Sequence, residues 1–202
     1  MKKIFYLILM LPFLVTAQTS QKEIIRKLNA AVSNINTMQC DFVQTKHMKM
    51  LNEKLVSSGK MAYKQSDKLK WEYTSPYSYI FILNGTKIYL NKGSRNDEID
   101  VRQNKLFQEI AKIIMNSVIG KCLTDTKEFK VSIQQTSSEW IATLLPQKKD
   151  LKQMFPKILL YFNKTNSIIS KVVMYEKNGD YTIIQLKNIR LNKAISANEF
   201  SL

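Results

Sequence analysis

Between Gly59 and Leu90 the chain changes residue character at every second position, and an antiparallel sheet is the fold that accommodates this. Leu69, Trp71 and Tyr73 fall on one side of a strand while Lys68, Lys70 and Glu72 fall on the other. Thr74-Ser75-Pro76 and Asn84-Gly85 punctuate the stretch, and the second dipeptide suits a tight hairpin turn. The region therefore reads as a meander with one apolar face. Such a face must be covered, either by a fixed core or by a removable lipid, and that choice decides what the chain does.

The first 17 residues stand apart from the fold. Lys2 and Lys3 precede an apolar run from Ile4 to Val15, and Val15-Thr16-Ala17 fits a small-residue cleavage site, so residues 1–17 are expected to be a secretion signal. The run is too short for a membrane span. No cysteine follows it, which predicts a soluble, unanchored product in the periplasm and a single domain over residues 18–202, a length that can bury a core without staples.

The formal net charge of +15 falls to +13 once the two leading lysines are removed. Such an excess suits anionic surfaces or acidic partners. The basic residues are 27 Lys and only 4 Arg, whereas specific phosphate reading favours the guanidinium fork, so nucleic acid is not expected as a partner. Cys40 and Cys122 could pair in an oxidising compartment. They would close a loop of about 80 residues, worth ~4 kcal/mol in the chain-entropy view. Two separate buried thiols are the alternative.

Ser20-x-x-Glu23 has the pattern of a capping box, and Ile24, Ile25, Leu28, Ala31, Val32 and Ile35 follow on one helical stripe, predicting a helix over 20–36. Strands are expected at 41–49, 54–64, 68–73, 77–83 and 87–90. The polar stretch 91–101 reads as a surface loop. A second helix is expected over 104–119, with Ile110 and Ile114 on a broad apolar arc and Gly120 at its end. Five further strands are expected at 129–135, 139–145, 158–162, 168–175 and 181–189, with a short helix near 150–155 and a turn at Asn178-Gly179-Asp180. That makes ten or so strands and few helices, a sheet that tends to curl and leave a concavity.

Chemistry is scarce. His47 is the only histidine, sits on an alternating strand and has no nucleophile motif beside it. No glycine-rich phosphate loop and no metal-ligand spacing occurs, and Asp97, Glu98 and Asp100 read as solvated loop charges. No enzyme, metal or cofactor is expected. What the chain does have is an apolar and aromatic inventory on strands: Trp71, Tyr73, Tyr79, Phe81, Tyr89 and Trp140.

In order along the chain, Asp41-Phe42-x-Gln44, Gly59, Leu69-x-Trp71-x-Tyr73-x-x-Pro76, Asn84-Gly85-x-x-x-Tyr89, Leu145-Pro146-x-Lys148, Leu191-Asn192 and Glu199-Phe200 resemble the periplasmic outer-membrane lipoprotein carrier family, LolA-like, over nearly the whole mature chain. The resemblance implies an α+β fold in which a single curved antiparallel sheet forms an unclosed β-barrel, with helices as a lid over the concave apolar face. It implies a carrier that holds the acyl chains of lipoproteins and moves them from the inner to the outer membrane, between an inner-membrane exporter and an outer-membrane acceptor, as a monomer. Carried over, Phe42, Leu69, Trp71, Tyr73, Phe81 and Ile88 would line the cavity, and Leu28, Ile110, Ile114 and Gln65 would belong to the lid. Where the family often has Arg-Pro, this chain has Gln65 and Ser66, a latch without its charge. Other readings are a carrier of another acylated or polyene-type lipid, and a non-enzymatic envelope module that docks a protein with a sealed core.

Overall fold

The computed structural model describes residues 20–65, 67–100, 123–124 and 127–202. The leader, the helix expected at 104–119 with Ile110 and Ile114, Ser66 and Cys122 lie outside the described residues. In chain order the elements are α1 (Gln21–Ser33), β1 (Thr37–Met48), β2 (Glu53–Lys64), β3 (Lys68–Ser75), β4 (Tyr79–Asn84), β5 (Lys87–Lys92) and β6 (Arg95–Asp100). Then come β7 (Phe129–Gln135), β8 (Glu139–Pro146), α2 (Lys149–Met154), β9 (Lys157–Asn163), β10 (Ile169–Tyr175), β11 (Tyr181–Leu191) and a 3-10 turn (Ala197–Phe200).

All eleven strands belong to one antiparallel sheet in the order β6-β5-β4-β3-β2-β1-β11-β10-β9-β8-β7. The two ends of the chain meet where β1 pairs with β11, and β6 and β7 remain as unjoined edges, so the barrel is not closed. α1 lies on one face: its Ile24, Leu28 and Val32 are buried in a core that draws on β1 to β5 and on β8 to β10. A sheet whose two halves share one helix must curl around it. Among the described residues no helix is long and apolar enough to cross a membrane.

One expectation is corrected. Where a surface loop was expected, Arg95–Asp100 forms edge strand β6 against β5. Its charges are edge pairs, Lys87 with Glu98 at 2.7 Å and Arg95 with Asp97 at 2.9 Å, of the kind that guards an open edge. Phe200 sits in the 3-10 turn and plugs the outer face of the sheet, packed with Ala62 and Ile82. Asn84 donates to the Phe200 carbonyl at 3.2 Å, and Lys70 lies between Glu72 at 3.2 Å and Glu199 at 3.1 Å. Burial pushes the Lys70 ammonium down, but hydrogen bonds from it to Glu199 and Glu72 more than reverse this, so its pKa ends above the usual lysine value.

Helix α1 begins as the capping pattern predicts, the Ser20 hydroxyl accepting from the Glu23 N–H at 3.3 Å. The Glu23 carboxylate turns instead to Lys27 at 3.2 Å. Cys40 is a buried free thiol, pushed up to about 12 by burial and by the neighbouring Asp41 charge, and therefore neutral at physiological pH.

Candidate functional site

Three of the sequence motifs meet in space on the inner face. Phe42 on β1 stands opposite Gly59 on β2, which stands opposite Tyr73 on β3. Gly59 has to be glycine: a Cβ there would lie 1.8 Å from the Glu72 carbonyl oxygen and 2.8 Å from the Phe42 ring. Phe42 uses the space, stacking on Trp71 with centroids 4.2 Å apart and meeting Tyr73 edge-on at 5.2 Å. The Tyr73 hydroxyl donates to Gln44 Oε1 at 3.0 Å, which accounts for Gln44 in the same motif. Burial, and then the nearby Tyr77, raise the Tyr73 phenol above its ordinary pKa, so it acts as a neutral donor. Tyr79 and Tyr77 extend the aromatic row at 6.1 and 5.5 Å from Tyr73.

The expected site residues separate by depth. Phe42, Leu69, Ile88 and Leu28 are fully buried in the core. Trp71, Tyr73 and Phe81 are half-buried and pack against it. Gln65 is exposed, and its contact with the helical side of the molecule is a backbone one: its N–H donates to the Asn36 carbonyl at 2.8 Å. That bond does not depend on the side chain at 65.

Two residues to which the sequence reading gave no role hold α1 in place. Asn192, in the left-handed region at φ 56°, accepts from the Asn36 N–H and donates to the Asn34 carbonyl, both at 2.8 Å. At the opposite end the Gln21 amide lies along edge strand β7 as a peptide group would. Its Nε2 donates to the Val131 carbonyl and its Oε1 accepts from the Ile133 N–H, each at 3.2 Å. Beside it a cleft of about 600 Å³ opens between the start of α1 and β7–β8, lined by Ser20, Gln21, Ile24, Ile133, Thr136 and Ile141 among others. This volume lies in the range of ligand sites. None of the expected cavity residues lines it.

An unclosed sheet wrapped on a helix, with an aromatic inner wall, agrees with what a sequence comparison finds. The family described as outer membrane lipoprotein carrier protein LolA matches residues 33–202. The chain belongs to the LolA family. Two LolA-family relatives, each named outer-membrane lipoprotein carrier protein, come from Legionella pneumophila (strain Paris) and Francisella tularensis subsp. tularensis (strain WY96-3418). They are 29% and 27% identical to the chain, cover 99% of it in both cases, and are themselves covered to 94% and 92%. Among solved structures, an uncharacterized conserved protein from Thermus thermophilus has the same fold with a TM-score of 0.56 at 9% identity, covering 90% of this chain and 93% of its own. For a DUF1329 family protein from Desulfovibrio piger the values are 0.51, 14%, 89% and 96%.

The motifs that carried the LolA resemblance have structural roles in this fold. Gly85, at φ 62°, makes the β4–β5 turn, and Lys148 starts α2 while pairing with Glu128 at 2.7 Å. His47 stacks on Tyr181 at 4.2 Å.

Proposed function

We propose that this LolA-family chain is a soluble periplasmic carrier that takes up the acyl chains of lipoproteins between α1 and the inner face of the sheet. In this reading it is a monomer without catalysis, loaded by an inner-membrane exporter and emptied into an outer-membrane acceptor. The observation that carries the reading is the half-buried row of Trp71, Tyr73 and Phe81, apolar wall that continues the core without being sealed into it. Acyl chains in water cost ~0.8 kcal/mol per methylene, so a carrier must offer them apolar surface and afterwards give it up. Helix α1 is the described element placed to meet both needs, because its Ile24, Leu28 and Val32 are buried in the core that this wall continues. Family membership supports lipoproteins as cargo. Another acylated or polyene-type lipid would use the same wall.

The rival reading, an envelope module that docks a protein and keeps its core shut, draws on the complete burial of Leu28, Phe42, Leu69 and Ile88. A fluorescent acyl probe separates the two. The carrier binds it, and Trp71→Asp lowers the affinity at least about tenfold while shifting the thermal midpoint by only a few degrees. A wild-type protein that binds no probe, and yields no lipid on solvent extraction, overturns the carrier reading. A folded Trp71→Asp protein that still loads removes Trp71 from the site.

A further inference from the structure

Strands β1 and β2 stay paired to their tips, with Met48 opposite Glu53, but their neighbours stop earlier. β11 runs out where Tyr181 faces His47, and β3 where Ser75 faces Ser58. On the β2 side, residues 53–57 therefore run on past the end of β3 by about 15 Å at the usual strand rise, with Ser57 still buried and 53–56 exposed. The projecting end is apolar. Met50 is 89% exposed, Leu51 63%, Leu55 56% and Val56 58%, and elsewhere among the described residues only Tyr77, Leu145 and Leu202 are large hydrophobics left so open. Exposed apolar surface gathered on one protrusion is a mark of an interaction site.

The arrangement also indicates what kind of partner fits. Leu55 and Val56 are consecutive on a strand and so point to opposite faces, yet both are more than half exposed. A docked protein surface would cover one face of the hairpin and leave the other wet. A bilayer surrounds a tip from every side. Lys49 and Lys54 flank the apolar group, with Glu53 the single carboxylate between them, and the chain as a whole carries +15. Lysine stems lie along apolar surface while their ammonium groups reach outward, which suits the phosphates of an anionic leaflet. The tip is braced from behind: the Lys49 N–H donates to Asp180 at 2.9 Å, and the Lys46 ammonium pairs with Glu176 at 3.0 Å.

We propose that the β1–β2 tip is a membrane-docking wedge, seating Met50, Leu51, Leu55 and Val56 at the headgroup–acyl boundary of an anionic bilayer with Lys49 and Lys54 at the phosphates. This is separate from the acyl-binding reading, since residues 49–56 lie at the tip of β1 and β2 beyond the Gly59–Tyr73 pair where the aromatic wall begins. The test is flotation with vesicles of phosphatidylethanolamine and phosphatidylglycerol in a roughly three-to-one ratio, against phosphatidylcholine alone. Wild-type protein should float with the anionic vesicles, and Met50→Asp/Leu51→Asp should lower the partition coefficient about tenfold or more without changing acyl-probe binding. Lys49→Gln/Lys54→Gln should cause a smaller loss, mimicked by raised salt. A Leu51→Trp protein supplies a local reading: its added emission should shift to the blue and be quenched by lipids brominated on their chains. Absence of flotation by wild type, equal flotation by the aspartate variant, or an unquenched residue-51 signal each overturns the proposal. Loss of probe binding with flotation intact bears on the carrier reading alone.

Discussion

The two ends of α1 are held in different ways, and the difference shows how a helix can be both part of a core and removable from it. At its C-terminal end, Asn192 bonds to Asn36 and Asn34 at 2.8 Å, the Gln65 N–H adds a third bond to the Asn36 carbonyl, and Thr37 Oγ1 donates to the Lys193 carbonyl at 2.6 Å. These join the helix end to the β1–β11 seam, where the chain's two halves meet. At its N-terminal end the hydrogen bonding to the sheet, among the described residues, comes from one glutamine amide on edge strand β7 at 3.2 Å, beside an open cleft of about 600 Å³. Short bonds to a paired seam suit a hinge, and longer bonds to an edge strand suit a latch. In the proposed carrier, helix α1 is then a flap that would swing from its C-terminal end.

The middle of the flap sets how much must be undone for it to swing, so the largest effect is expected there. Leu28 is fully buried among residues from both halves of the sheet. Leu28→Ala should cost roughly 2–5 kcal/mol in urea unfolding, as buried leucine truncations do. A loss below about 1 kcal/mol would mean that the helix contributes little to the core, and hinge and latch would lose their meaning. The hinge comes next. Asn192→Gly keeps the left-handed backbone but removes both side-chain bonds, and should cost about 1–3 kcal/mol. Hydrogen exchange should quicken at the Asn36 amide, whose acceptor is gone. Unchanged exchange there would move the hinge elsewhere.

The sequence spoke clearly wherever structure is built from neighbours along the chain. Alternation at Leu69, Trp71 and Tyr73 placed these side chains on the inner face, the helical stripe through Ile24, Leu28 and Val32 located α1, and Asn84-Gly85 marked a real turn with Gly85 at positive φ. It was silent for β6, because a charged edge strand owes its pairing to backbone bonds and has no apolar period to read. It named Asn192 in a motif without a role, and it passed over Gln21. Their partners lie more than a hundred residues away in the chain, and a single amide bonding to backbone leaves no periodic trace. Depth was the third thing hidden. Leu69 and Trp71 share one face and one pattern, yet one is sealed and the other half-open, since what covers a position comes from other elements.

The smallest effect on stability should come with the largest change in the flap's freedom. Gln21→Ala deletes two exposed hydrogen bonds, so unfolding should shift by only about 1 kcal/mol or less. Yet those bonds are the ones that must break for the N-terminal end of α1 to leave β7, and the Ile133 N–H they protect then faces water. Exchange at Ile133 should therefore rise severalfold, and acyl-probe release should accelerate by a similar factor while release from the Asn192→Gly protein changes in affinity and rate together. Gln21→Glu sharpens the comparison: the carboxylate still accepts from Ile133 but has no hydrogen to donate to the Val131 carbonyl, and so keeps half of the latch. Its release rate should fall between wild type and alanine. If all three proteins release the probe alike, the flap either swings from its other end or does not swing at all, and the asymmetry between the two attachments is architecture without a gate.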